Sequence, residues 1–460
     1  MRVGLTNLFQ ALVDIAVTTR ERYQMMLNAT EQATQKKVTL RLLPFLFLLY
    51  IIAYLDRANI GVAKLGMKEM SWFKDDVLGL GTGIFFLGYF LFEVPSNLML
   101  SRIGARKWIT RIMITWGIVA SLMMFALNVP AFYGLRFLLG IAEAGFFPGV
   151  ILYLTYWYTS KERARIVAIF MTATAIANVI GSPISGALLG IHWLGLHGWQ
   201  WLFILEGIPA VLLGFVVFFY LPDGPNDAKW LTSDEKKWIG ARIGLEGDAK
   251  NAKGHGSLAA AFATPAVWIF CLVYFANAMT TYGIVTWLPT IIKKTGSFTN
   301  FNVGCLTAIP YAVGALTMVF VGKNSDRTGK HALHVCGAAL VAGCGLLFAA
   351  FQHTTIGVIL GFSVAAMGIY SLVGPFWALP TAFLGGTAAA AGIALINSVG
   401  NLGGFLGPFL LGKIKTETGL LILSGVITIG GLLVLVAKKI SPEEAGAESL
   451  AESRVIEDII

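Results

Sequence analysis

The sequence is short of charge. Only 13% of its 460 residues are charged, against roughly 25% in a soluble domain, so the chain lacks the polar surface to face water on all sides. Cysteine is scarce too. Cys271, Cys305, Cys336 and Cys344 lie in apolar segments without CxxC spacing, which leaves no disulfide framework and reads as small buried residues. The six histidines, His192, His197, His255, His331, His334 and His353, are scattered at loops and segment ends. With no HExxH or comparable pairing, neither a metal nor a cofactor is expected. No nucleophile sits beside a base, and no sizeable soluble domain is present, which sets aside a membrane enzyme and a receptor. The first 41 residues lack a cleavage-site pattern and are not a signal peptide.

What is abundant is apolar sequence. Residues AVILMFWYC make up 56%, and mean hydropathy is +0.73. Twelve runs are long enough to cross a hydrocarbon core of ~30 Å: 42–63, 77–99, 107–127, 130–157, 166–190, 200–221, 266–290, 302–322, 332–351, 355–377, 385–412 and 418–438. Strands of a membrane barrel alternate over ~10 residues instead of staying apolar, so the expected fold is an all-α membrane protein. The 52 glycines concentrate in these runs, as close helix packing in lipid favours. The net charge of +9 does not point to nucleic acid, because the basic residues sit beside segment ends. Arg102, Arg106, Lys107 and Arg111 follow the second segment, Lys161, Arg163 and Arg165 the fourth, and Lys323, Arg327 and Lys330 the eighth. By the positive-inside rule both termini are cytoplasmic.

Against this background, charges inside the runs stand out. Arg136 and Glu143 in RFLLGIAE lie seven residues apart, on one helix face and about 10 Å apart along the axis. Asp56 and Arg57 stand in the first run; being consecutive they diverge by about 100°, so one faces a central space while the other pairs sideways. Ionisable groups at membrane depth cost at least ~2.5 kcal/mol and mark ion or substrate pathways, whereas a static ion pair is the plainer alternative. Tyr50 and Tyr54 precede Asp56 on the same helix, and Tyr89 with Glu93 shares a face of the second. Tyr89 is expected to line the cavity. Glu93, near the inner end, is expected to be satisfied by solvent or a loop arginine and to serve structure or gating. The second half has neutral polar positions instead: Asn277, Thr280, Thr281, Tyr282, Trp287, Tyr311, Trp377, Asn397 and Asn401. The first half is thus expected to handle charge and protons, and the second to supply hydrogen bonds and shape.

The chain also repeats itself. SRIGARK (101–107) and GKNSDRTGKH (322–331) each hold a basic turn, Arg102 with Gly104 and Arg327 with Gly329, 225 residues apart. NVIGSPISGALLG (178–190) likewise resembles NLGGFLGPFLLG (401–412). The expected organisation is an N-terminal segment (1–41) with a short amphipathic helix over Leu5 to Ala16, a six-helix half (42–221), a linker (222–265), a second six-helix half (266–438) and a disordered tail (439–460). Within the linker, Thr232 or Ser233 before Asp234 and Glu235 reads as a helix cap. Parallel halves of this kind place a substrate site at their interface near the midplane.

The loop SDRTGK (325–330) resembles a signature of the major facilitator superfamily, and RFLLGIAEAGFFPG (136–149) resembles its fourth helix in the anion:cation symporter family. YLDRANI (54–60), GYFLFEVPSNL (88–98), GWQWLFILEGIPA (198–210), LPDGP (221–225) and residues 374–408 are similar to the bacterial permeases for tartrate, phthalate and hydroxyphenylacetate. The resemblance implies proton-coupled uptake of a small organic anion through a bacterial inner membrane by a monomer whose two halves rock. It implies that Arg57 holds a substrate carboxylate, that Asp56 and Glu143 bind protons and that Arg136 senses or partners them. Tyr89, Tyr282, Trp377 and Asn397 complete the expected substrate site, and Arg102, Asp326 and Arg327 the inner gate. Ser101 departs from the aspartate usual in the first loop, which shifts the latch to the second. Tartrate or a sugar acid is the first expectation, an aromatic carboxylate the second. Export or antiport is the alternative direction, weakly favoured by GSPISG (181–186).

Overall fold

The computed structural model describes the backbone of residues 2–252, 264–383 and 386–440, and the side chains of 31–159, 162–163, 165–245, 264–380 and 392–437. The expected disordered tail lies outside the described residues, apart from its first two positions, as do residues 253–263 of the linker. Helix starts follow local chemistry. Asn128 accepts a hydrogen bond from the Ala131 N–H ahead of α4 (Val129–Glu143), with a proline in the first turn. Thr159 and Glu162 form a reciprocal capping box at the start of α6 (Ser160–Leu188). Thr299 caps α10 (Asn300–Thr328).

The remaining helices of the first half are α1 (Arg2–Met67), α2 (Asp75–Ile103), α3 (Ala105–Leu122), α5 (Phe146–Thr155) and α7 (Gly198–Tyr220). After α8 (Ser233–Ala252) come α9 (Pro265–Lys294), α11 (His331–Ala350), α12 (Thr355–Phe383), α13 (Gly386–Asn401), α14 (Gly403–Lys413) and α15 (Thr416–Ile440). Among the described residues twelve spans are long and apolar enough to cross a membrane, and the fold is 87% helical. α1 is one continuous helix where the sequence reading places a separate short helix before the first span. Pro44 falls inside it. α8 starts at the expected cap, Glu235 accepting from the Thr232 N–H at 2.7 Å and donating its own N–H to Thr232 Oγ1 at 3.3 Å.

Two runs expected as single helices are broken. The fourth span stops at Glu143 and restarts at Phe146 because Gly145 takes a left-handed φ of +86°, a conformation that costs other L-residues about 1–2 kcal/mol. Ser96 of α2 fills the space beside it: a Cβ there would lie 2.3 Å from Ser96 Oγ. The eleventh span is interrupted at Leu402, between α13 and α14.

The two halves meet along α2 with α14, α6 with α10, and α1 with α9. At the end opposite the termini these seams are backbone against backbone. A Cβ on Gly79 would stand 2.7 Å from the Pro408 carbonyl oxygen, and one on Gly304 2.2 Å from that of Ser182. Charges reinforce this end: Lys64 pairs with Asp75 at 2.9 Å and lies 3.6 Å from the Trp287 ring centre of the second half, and Lys413 pairs with Asp76 at 3.5 Å. At the other end Lys37 ties α1 to Glu235 of α8 at 2.9 Å, and Arg242 of α8 pairs with Glu162. The outer faces bear exposed Leu212, Phe219, Leu316, Phe320 and Ile356, as lipid contact requires.

Candidate functional site

Asp56 and Arg57 point to different neighbourhoods, as consecutive helical positions must. Asp56 is buried inside the first half, where Oδ2 accepts from Trp116 Nε1 at 2.5 Å and Oδ1 from Asn59 Nδ2 at 3.4 Å. Arg57 faces the second half. Its Nε donates to Glu143 Oε1 at 2.5 Å, and its Nη1 to the Tyr282 hydroxyl of α9 at 3.2 Å. The guanidinium also lies 4.9 Å from the Tyr89 ring centre and 5.8 Å from that of Phe85, within range of cation–π attraction. Arg57 and Glu143 side chains are only 7% and 0% exposed.

Arg136, expected to sense or partner the two acids, is not the cation paired with Glu143. Arg136 donates through Nε to the Gly81 carbonyl at 3.3 Å and lies 5.0 Å from the Phe85 ring centre. Two turns of α4 separate the residues, and the cation that reaches Glu143 comes from α1 instead. Arg136 Nη1 and Glu143 Oε2 are each buried without a hydrogen-bond partner. Two buried charges on one helix therefore keep unused polar capacity at the centre of the first half.

Glu93 is the largest departure from the sequence reading. It is 3% exposed, and neither solvent nor a loop arginine satisfies it. Oε1 accepts from Asn397 Nδ2 at 2.5 Å and Oε2 from Ser398 Oγ at 3.0 Å, so it bridges α2 of the first half to α13 of the second. Asn397, expected on a substrate, is held by this carboxylate. Tyr89 and Tyr282 stand at the Arg57 end of the same region. Trp377 packs edge-on to Tyr274 at 5.0 Å and to Phe376 at 5.2 Å. Tyr274 in turn backs α13, since a Cβ on Gly400 would meet its ring at 2.0 Å. Arg102, Asp326 and Arg327 are exposed. Ion pairs at their end of the bundle run elsewhere, such as Arg106 with Asp223 at 3.3 Å.

Three further buried groups escaped the sequence reading. Glu206 accepts from Ser185 Oγ at 2.6 Å, Lys64 closes one end, and Trp116 holds Asp56. Glu206 lies in the apolar stretch LFILEGIPA, so the argument that singled out Arg136 applies to it equally. Trp116 has no such mark.

The sequence profile of the Major Facilitator Superfamily matches residues 46–408. The chain belongs to the major facilitator superfamily. It is 47% identical over 430 residues to a proposed tartrate transporter of Agrobacterium vitis, covering 92% of this chain and 99% of that one. It is 41% identical over 390 residues to a quinolone resistance transporter of Acinetobacter baumannii, covering 85% and 90%. The crystal structure of a D-xylose–proton symporter shares the fold, with a TM-score of 0.69 at 14% identity over 86% of this chain and 97% of that one. The protein is therefore a multi-pass membrane transporter of this superfamily, built as twelve spans in two six-helix pseudo-repeats.

Proposed function

We propose that this transporter imports a small organic carboxylate, tartrate or a sugar acid, together with protons, across a bacterial inner membrane with both termini in the cytoplasm. The observation that carries the reading is the Arg57–Glu143 contact beside Tyr282, a guanidinium at the seam between halves whose partner is the protein's own carboxylate. A guanidinium offers a fixed fork of donors matched to a carboxylate and never loses its charge. A substrate carboxylate arriving at Arg57 competes with Glu143 for that fork. Glu143, displaced, becomes free to take a proton, and that proton offsets the charge of the carboxylate that arrived at Arg57. Substrate and proton thus favour the same closed state, and rocking of the halves carries both across. Tyr89, Tyr282 and Trp377 supply walls and hydroxyls for the rest of the molecule, Asp56 and Arg136 set the field around Glu143, and Arg102, Asp326 and Arg327 form the latch when the opposite end opens. One chain supplies every group, so a monomer suffices. The tartrate relative supports the aliphatic acid.

The test is uptake of labelled organic acids into proteoliposomes with and without an inward proton gradient, for wild type, Arg57→Ala and Glu143→Gln. Gradient-driven accumulation in wild type and its loss in both variants is the expected result. Accumulation by Glu143→Gln against a concentration gradient removes Glu143 from coupling. A second reading draws on the quinolone relative: quinolones are aromatic carboxylic acids, and resistance implies outward movement. Efflux driven by the same gradient, with no uptake, would select it.

A further inference from the structure

Two sets of donors lie in this region, and the chain's own carboxylates occupy both. Arg57 is taken by Glu143. Asn397 and Ser398 are taken by Glu93. The two sets are joined by α2, on which Tyr89 lies against Arg57 and Glu93 follows one turn later, about 6 Å along the axis. That is the length scale of a short diacid. We propose that the substrate is a dicarboxylate that displaces both internal carboxylates, one end taking Arg57 from Glu143 and the other taking Asn397 and Ser398 from Glu93, and that one dianion therefore travels with two protons. The inference rests on the symport reading above and adds to it the second anchor, the role of Glu93 and the stoichiometry.

Charge accounting supports the count. Before substrate arrives the site holds one guanidinium and two carboxylates, a net charge of −1. Afterwards it holds the same guanidinium, a dianion, and Glu143 and Glu93 as neutral acids, again −1. Each proton comes from water and forms an O–H bond on the carboxylate that lost its donors. Two freed carboxylates beside a dianion in a buried space is the arrangement that does not persist, because uncompensated buried charge is costly. The charged and titratable groups around Glu93 are Arg57 of α1, Tyr89 of α2 itself and Tyr274 of α9. Those around Glu143 are Arg57 of α1, Arg136 of α4 and Tyr89 of α2, with Asp56 of α1 close by. None of them pairs with Glu93 as a cation in this structure. A monocarboxylic sugar acid, by contrast, displaces Glu143 alone and travels with one proton.

The experiment measures equilibrium accumulation of labelled tartrate in proteoliposomes at an imposed pH difference of one unit, with membrane potential set by potassium and valinomycin. Each coupled proton is worth about tenfold, so wild type is expected to accumulate tartrate about a hundredfold, independent of potential. Glu93→Gln is expected to fall to about tenfold and to accumulate less when the interior is negative, since a dianion then moves with one proton. Proton uptake on tartrate binding to the detergent-solubilised wild type, read with a pH indicator, is expected to be two per tartrate, and needs no variant to fold. A wild-type value of one proton, or a hundredfold accumulation retained in Glu93→Gln, overturns the proposal. Accumulation of no acid under any gradient overturns symport itself, a different outcome from one-proton transport.

Discussion

At the residue scale the protein is governed by how few cations serve its buried acids. Asp56, Glu93, Glu143 and Glu206 are all buried, and one of them, Glu143, has an arginine. Arg57→Ala leaves Glu143 with an uncompensated charge, and the expected cost is about 3–5 kcal/mol, seen as a lower melting temperature of the purified protein. Arg57→Met combined with Glu143→Leu removes both charges and should recover most of that stability without recovering transport. If the double variant melts as low as Arg57→Ala, the loss is one of packing. Asp56, Arg57, Glu93 and Glu143 were legible in the sequence as charges inside apolar runs, and so was the divergence of Asp56 from Arg57, whereas Glu206 was passed over. Their partners were not. Arg136 donates to a main-chain carbonyl, Gly81, and every residue offers one of those. Glu93 finds its donors 304 and 305 residues away, and that pairing depends on how the halves are closed.

At the scale of single elements the fourth span is the informative one. Its break follows from Gly145, yet one glycine among 52 carries no signal in the sequence, so a single helix was the natural expectation. Gly145→Ala places a Cβ in a left-handed conformation against Ser96. A loss of about 1–2 kcal/mol is expected, partly restored by Ser96→Gly, with thermal unfolding as the check. α8 behaves differently because its attachment is electrostatic. Burial is the largest single influence on the Glu235 carboxyl and raises it, but Lys37 and Thr232 together outweigh it and hold the group below its ordinary value. A lowered acid contributes stability above its unfolded value near ~4.3 and loses it as pH falls through the lower folded value. Amide exchange in the first turn of α8 should therefore be slow at neutral pH and rise below about pH 4, and Lys37→Met should remove most of that dependence. Unchanged exchange in Lys37→Met would place the attachment in other contacts.

At the scale of the whole molecule, the twelve spans and the duplication were legible because length and apolarity fix them locally. Which end is closed was not, since that is a choice between states of one sequence. The end away from the termini is shut by Gly79 against Pro408 and Gly304 against Ser182. Gly79→Leu or Gly304→Leu should wedge this end open and expose a cysteine placed at Val285 to a membrane-impermeant thiol reagent; unaltered labelling would show that the seam tolerates bulk. The same seam has a consequence for turnover. Glycine has no rotamers to freeze on contact and none to regain on parting, so the glycine contacts of this seam make and break with little change in side-chain entropy. Delay in the cycle is then expected where charges must change partners, at Lys413 and Asp76 on this seam and at Arg57 and Glu93 deeper in the bundle.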